Sequence, residues 1–406
     1  MNHLSAVVST EFEATGDTSH MVSSGKLSLS DIYGEWIIYR NLEPLPKKLR
    51  GMRRAAGKMG IDGNRIPRKH EVDYARASMW FLNEGQKLRR KTGPLKELLF
   101  IGDSLFTDGT AFTNLANLSE WRGSCFIGNE KLSEKPSSDI RHEEGFYLAN
   151  RWSSLASWLS WGLEQGFSMD DSTAVIVDID KTVLGAKGRN DHVIDQARLD
   201  GIYRTMDSVL GDDFDRAAFE RQYAELNKST YHVITADNQD YLAYICLVLN
   251  AKLLQLDELV GEVEENRIDN FDQLTRWVNT RLMMKPTGGE RFRQVHEAVM
   301  MAMHQGDPTP FKRFRQQEFM TTIERMGSVP DSATVEDMLS DEITITREVV
   351  DASKWLAERG CILLCMSDKP DEAVFPKRHL EPEFLPVHQI ATHCVGYDIH
   401  EQLRAL

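Results

Sequence analysis

The run Val175-Ile176-Val177-Asp178-Ile179-Asp180-Lys181-Thr182-Val183 constrains this chain more than any other. Three consecutive apolar, β-branched residues lead straight into two carboxylates spaced one apart. Such a run reads as a strand buried on both faces, the kind found inside a parallel sheet. A strand of that kind delivers Asp178 and Asp180 to its carboxyl end, where open α/β sheets bind their ligands. Two carboxylates in one small site hold a hard cation, and their surroundings drive their pKa values apart. One is then available as a nucleophile and the other as a proton donor.

At 406 residues the chain exceeds what one core usually fills, so two domains are expected. A composition 41% hydrophobic and 27% charged is that of a globular protein, not of a disordered or membrane-embedded one. The net charge of −14 argues against general binding to nucleic acid or to anionic membranes. The five cysteines lack metal-type spacing, and Cys361 and Cys365 fall on one face of an expected strand. A reducing compartment without disulfides follows. The N-terminus carries no apolar signal region, and the longest apolar run, Tyr241 to Leu249, is too short for a bilayer. A cytoplasmic location is therefore expected, where the sequons at Asn117 and Asn227 mean nothing.

Residues 1–30, rich in Ser, Thr and Gly, read as a loose tail. Residues 40–69 are basic, carrying Lys47, Lys48, Arg50, Arg53, Arg54, Lys58, Arg65, Arg68 and Lys69. A solvated basic face is the plain reading, and a wider preference for acidic substrates the functional one. A helix is predicted from about Glu71 to Leu88, broken by Gly93-Pro94. Leu98 to Ile101 reads as a buried strand, followed by a short strand near Ser124 to Ile127 and a linker over 130–145. The spacing of Leu148, Trp152, Leu155, Leu159 and Leu163 predicts an amphipathic helix.

From about 190 to 340 helical spacing dominates. Leu199, Ile202, Met206 and Val209 make one stripe; Leu242, Ile245, Leu249, Leu253, Leu256 and Val260 make a longer one. These stripes read as the core of a helical domain, whose first half is also a candidate homodimer face. Lys285-Pro286-Thr287-Gly288-Gly289 breaks the pattern. A helix over Thr346 to Arg359 then stops at Gly360, strand Cys361 to Met366 ends in Ser367-Asp368, and strand Val387 to Val395 closes the chain.

Three strand ends therefore present polar groups: Gly102-Asp103 with Asp108, Asp178 with Asp180, and Ser367. An Asp after a strand is often only a helix cap, but three together resemble the haloacid dehalogenase superfamily of phosphohydrolases. Its first motif, a strand then Asp-x-Asp-x-Thr, is similar to Asp178-Ile179-Asp180-Lys181-Thr182; its second, a strand then Ser, to Leu363-Leu364-Cys365-Met366-Ser367. Its fourth, a strand then Gly-Asp and a later Asp, is similar to Gly102-Asp103 with Asp108. Its third, a helix-opening Lys, is best matched by Lys69, with Lys58 and Lys369 as rivals. The order here is third, fourth, first, second, that of a circular permutation cut between the second and third motifs. The matched stretches are about 60–130, 173–188 and 343–406, with residues 130–172 as the joiner across the sheet.

The resemblance implies an α/β, Rossmann-like core over residues 59–188 and 341–406, with a large all-helical cap inserted over 189–340. Residues 1–58 are left as tail and basic segment. It also implies a Mg2+-dependent phosphatase acting on a small phosphorylated metabolite through an aspartyl-phosphate. Asp178 becomes the nucleophile and Asp180 the general acid and base. Mg2+ falls to Asp178, the carbonyl of Asp180, Asp103 and, directly or through water, Asp108. Thr182, Ser367, the N–H of Asp368 and Lys69 take the phosphate. His192, His232 and Arg281 are candidates to line the cleft, though surface placement is the plainer reading.

Two other readings stand beside this one. Gly102-Asp103-Ser104-Leu105 spells the pattern of the GDSL serine esterases, with Ser104 as nucleophile, and Gly188-Arg189-Asn190-Asp191 resembles their Gly-x-Asn-Asp block. Their late Asp-x-x-His has no good match, because Asp398-Ile399-His400 is one residue short and Asp139-Ile140-Arg141-His142 comes too early. A catalytically idle core used for binding is the other, and a phosphomutase remains a variant of the phosphatase reading.

Overall fold

The computed structural model describes residues 20–91, 93–284, 289–380 and 383–406. Its strands, in chain order, are β1 (Val22–Leu27), β2 (Ile37–Ile38), β3 (Glu97–Gly102), β4 (Arg122–Gly128) and β5 (Ser138–Arg141). They continue with β6 (Phe146–Ala149), β7 (Thr173–Asp178), β8 (Ile345–Thr346), β9 (Ile362–Met366) and β10 (Thr392–Gly396). Seven make the main sheet in the order β2-β9-β7-β3-β4-β6-β5. All its pairs are parallel except the β5–β6 hairpin at one edge.

Every residue of β3 and of β7 is buried, as their unbroken apolar runs require of strands covered on both faces. Side chains alternate between two cores. Leu98, Phe100, Ala174 and Ile176 face helices Met52–Met59, Val72–Leu88 and Thr110–Ser119. Leu99, Ile101, Val175 and Val177 face helices Leu29–Tyr33, Leu155–Glu164 and Arg347–Glu358. Burying each of these Val, Leu and Ile side chains stabilises the sheet by about 1.5–3 kcal/mol.

Residues 191–341 are helical, and most of their apolar side chains, from Ile202 to Phe314, form a core of their own. Helices Asp191–Leu210 and Lys312–Ile323 straddle the border, giving Val193, Ile194, Ala197 and Phe319 to the sheet side. They cross at Gly201, where an added Cβ would stand 2.8 Å from the backbone N and Cα of Glu318. The break expected at Lys285 to Gly289 falls mostly outside the described residues.

Both passages between sheet and helical unit are clamped. The Asn190 amide donates to the carbonyls of Leu339 (2.6 Å) and Glu342 (2.9 Å) and accepts from the N–H of Thr344 (2.9 Å). The adjacent Arg189 is buried between Glu130 and Glu348, at 2.5 and 2.8 Å.

Four local expectations are corrected. Residues 20–30 are not a tail: β1 pairs antiparallel with β10, and a capped helix starts at Leu29, so hydrogen bonding orders a Ser/Gly-rich stretch. Residues 1–19 lie outside the described residues. Within the expected linker, 138–141 form β5. Leu148 belongs to β6 rather than to a helix, because Arg151 is extended and the helix begins only at Leu155. The closing strand is shorter than expected, Thr392–Gly396, and lies with β1 and β8 in a separate three-stranded sheet. Among the described residues no helix is long and apolar enough to cross a membrane.

Candidate active site

Register brings the three polar strand ends together. Val177 lies level with Ile101 of β3 on one side and with Cys365 of β9 on the other, and Asp178 lies level with Met366. Gly102-Asp103, Asp178 and Ser367 therefore leave the sheet side by side. Carboxylate oxygens of Asp103, Asp108 and Asp178 lie within 4.8 Å of one another.

Asp108 returns through a single helical turn, Leu105–Gly109, and its Oδ2 accepts the N–H groups of Asp103 (2.9 Å) and Ser104 (3.0 Å). Its carboxyl group packs directly on Gly102, where a Cβ would come 2.5 Å from Asp108 Cγ. The glycine before Asp103 is therefore a steric requirement of the loop.

Lys69 is buried, and its ammonium pairs with both Asp178 and Asp108. Burial opposes its charge, but the two carboxylates win and hold its pKa well above the usual lysine value. Of the rival lysines, Lys58 is exposed, lining a surface groove with Lys48, Arg50, Trp80 and Glu84. Lys369 stands 3.6 Å from Asp180.

Charge in the cluster is unbalanced. Burial, together with the nearby Asp108 and Asp103 charges, pushes Asp178 well above the carboxylate range despite Lys69. Burial and Asp108 likewise push Asp103 up to about 7, although Lys187 sits 2.8 Å from its Oδ2. Crowded carboxylates of this kind suit a hard cation with all-oxygen ligands.

Asp180 takes no part in that cluster. Lys181 turns the chain with φ 63°, and the Asp180 carboxylate faces Lys369 at 3.6 Å and Arg198 at 3.5 Å. Burial pulls its pKa up, but Lys369, Arg198 and Lys181 overcome it and leave it below the usual aspartate value. Glu318 completes the network, 3.3 Å from Arg198 and 3.8 Å from Lys369. Two helices of the helical unit thus reach the second carboxylate of the motif.

Ser367 is buried beside Asp180 and Lys369 in a small cavity of about 10 Å³ otherwise lined mainly by apolar side chains, among them Ile179, Leu184, Ile194 and Ile343. Its N–H donates to Ile38 and its Oγ accepts from the N–H of Lys369 (3.0 Å). The Asp368 carboxylate is taken by Arg40 at 3.4 Å, so its N–H, not its side chain, suits an anion. Thr182 is buried; its carbonyl accepts from Thr346, and its hydroxyl has no hydrogen-bond partner among the described residues.

Other sequence candidates fall away from the site. His192 and His232 are exposed, and Arg281 pairs with Glu258. The Ser104 hydroxyl accepts the N–H of Thr107 at 3.3 Å. His142 packs edge-on against Trp161, Asp398 pairs with Arg347, and Asn190 is spent on the chain crossing. Sequence reading missed Lys187, Arg198, Glu318 and Arg40. Only Lys187, close behind the Asp178 strand, carried a local signal.

The chain matches no family model, no curated protein and no solved structure.

Proposed function

We propose that this chain is a phosphohydrolase of the haloacid dehalogenase type, circularly permuted, that cleaves phosphate monoesters through an aspartyl-phosphate on Asp178. The observation that carries the reading is the convergence of Asp178, Asp103, Asp108 and Lys69 beside Ser367, from four separate segments of the chain. An isolated Asp-x-Asp would not bring a buried lysine and a second pair of aspartates with it.

In this reading an Asp178 oxygen attacks phosphorus, and the bond from phosphorus to the ester oxygen breaks. Asp180 gives its proton to the departing alkoxide. Phosphate oxygens arriving near Lys369 draw on the same positive charge that keeps Asp180 ionised, which raises its pKa toward the protonated form it needs. Asp180 then takes a proton from water, water attacks phosphorus, and the bond to Asp178 breaks to release phosphate. Ser367 and the N–H of Asp368 position phosphate oxygens, and Lys69 offsets charge on nucleophile and phosphate. Mg2+ would be held by Asp178, Asp103 and the carbonyl of Asp180, and would neutralise charge between an anionic ester and an anionic nucleophile. Asp108, directly or through water, would complete that set while fixing the loop and Lys69.

The test is hydrolysis of p-nitrophenyl phosphate with and without Mg2+, beside Asp178→Asn and Ser104→Ala. The expected result is Mg2+-dependent release that survives Ser104→Ala and falls by roughly 10⁴-fold or more in Asp178→Asn. Activity indifferent to Asp178, or hydrolysis of p-nitrophenyl acetate lost in Ser104→Ala, would replace this reading with the esterase.

A further inference from the structure

Beside the Ser367 loop, on the border with the helical unit, two arginines carry hydrogen-bonding capacity that nothing uses. Arg40 is 5% exposed. Its Nη1 reaches the carbonyl of Asp368 (3.2 Å) and Asp368 Oδ2 (3.4 Å), and its own N–H donates to the carbonyl of Lys369 (3.2 Å). Its Nε and Nη2, both buried, have no hydrogen-bond partner among the described residues. Those two nitrogens form one edge of the guanidinium, the edge that binds a carboxylate or phosphate with two parallel hydrogen bonds. Arg68 is half-buried, its Nε is also buried without a partner, and it has no ion pair among the described residues.

The neighbouring charges do not fill this need. Arg315, from helix Lys312–Ile323, is already taken by Asp240 (2.6 Å) and Glu318 (2.7 Å). Asp368 meets only the Nη1 side of Arg40. Arg40 is close enough to Arg68 and Arg315 that both, after burial itself, weigh against its charge. A buried donor without a partner is costly, so a guanidinium edge that no protein group takes is suited to an anionic ligand. The position decides which ligand. Arg40 grips the segment Asp368-Lys369 that follows Ser367, one residue beyond the group assigned to the scissile phosphate.

We propose that Arg40 and Arg68 form an anion subsite for a second negatively charged group, a phosphate or carboxylate, on the same phosphate ester. The proposal rests on the phosphatase reading for where the first phosphate sits. The substrate class is then a small bisphosphate or phospho-carboxylate whose two anionic ends are bridged by a short spacer. Asp240 and Tyr241, at the start of helix Gln239–Asn250, lie within electrostatic reach of Arg40, and Tyr241 within reach of Arg68 as well.

The experiment uses three probe series of two to six carbons: alkanediol bisphosphates, ω-carboxyalkyl phosphates and n-alkyl monophosphates. Hydrolysis is measured as kcat/KM, and binding to the Asp178→Asn protein by calorimetry, each with and without Arg68→Gln. Because Arg40 is buried and its removal can cost the fold, half-buried Arg68 carries the test, with Arg68→Lys as partial rescue. In the wild-type chain one doubly anionic series should exceed the monophosphates by about tenfold or more at its best length, and Arg68→Gln should erase most of that ratio. The better series says whether the second group is a phosphate or a carboxylate. A ratio near one in the wild-type chain, or a ratio untouched by Arg68→Gln, overturns the subsite while leaving the phosphatase intact. If no ester is hydrolysed but doubly anionic probes bind and lose about tenfold in Arg68→Gln, the phosphatase reading fails and the subsite stands. Absence of binding by every probe overturns it.

Discussion

Lys69 owes its place to burial, not to its neighbours in sequence. Three lysines competed for the same role on paper, and spacing alone does not say which one folds under the sheet edge. What separates them is the partner each finds: Lys58 keeps its water, Lys369 faces Asp180 and Glu318, and Lys69 is buried against Asp178 and Asp108. Asp178 and Asp103 were legible because each follows a fully buried strand, and a strand end has only one place to put the next side chain. Gly102 shows how tightly the loop is drawn. Substituting Gly102→Ala would set a methyl group inside the Asp108 carboxyl, so the loop must shift. We expect about 1–3 kcal/mol of lost stability in urea denaturation, and the proposed phosphatase activity lost beyond that caused by unfolding. A variant as stable and active as the original would contradict this packing.

His388 provides a residue-scale test of pH dependence away from the carboxylates. It is buried among Tyr39 and Phe375, and burial lowers its pKa from 6.5 to about 4. Its folded pKa is depressed, so between about 6.5 and about 4 the unfolded chain binds a proton that the folded chain refuses. Stability from this group is complete above that window and is lost as pH falls through it. Thermal denaturation of His388→Phe should therefore decline less between pH 7 and pH 4.5 than that of the original chain. Parallel declines would place the titration elsewhere.

Among the elements, long runs were legible and short edges were not. Strands β3, β7 and β9 and helix Val72–Leu88 fall within a residue or two of expectation, because apolar runs and helical spacing are local signals. By contrast, β2 has two residues and β1 is Ser/Gly-rich, so both owe their form to the partner strand. The helix expected to include Leu148 failed for a related reason: its spacing suited a helix, but Phe146–Ala149 found β4 and β5 to pair with. The passages into and out of the helical unit depend on Arg189, held between Glu130 and Glu348, all three buried. Arg189→Ala would leave two carboxylates buried without their cation. We expect a loss of about 3–5 kcal/mol in unfolding free energy. A loss below about 1 kcal/mol would mean that the joint is held by Asn190 and apolar packing alone.

At the scale of the whole molecule, the sheet gathers residues 69, 103, 108, 178 and 367 into one site, and the helical unit lies across it. Arg198 and Glu318 reach Asp180 and Lys369, while Lys312 pairs with Glu372 of the sheet side at 2.8 Å. The helical character of that unit was plain from its stripes. Its charged seam was not, since which side chain meets Asp180 depends on how helices Asp191–Leu210 and Lys312–Ile323 cross at Gly201. Arg40 was hidden for a different reason: Asp368 comes beside it only through the pairing of β2 with β9. The central claim is that Asp178 itself becomes phosphorylated. The most direct measurement is acid quenching during turnover of p-nitrophenyl phosphate, followed by peptide mass spectrometry. The account predicts a hydroxylamine-labile phosphate on the peptide holding Asp178, increased in Asp180→Asn and absent in Asp178→Asn. Turnover with no phosphorylated peptide, or with the phosphate on another residue, would contradict it.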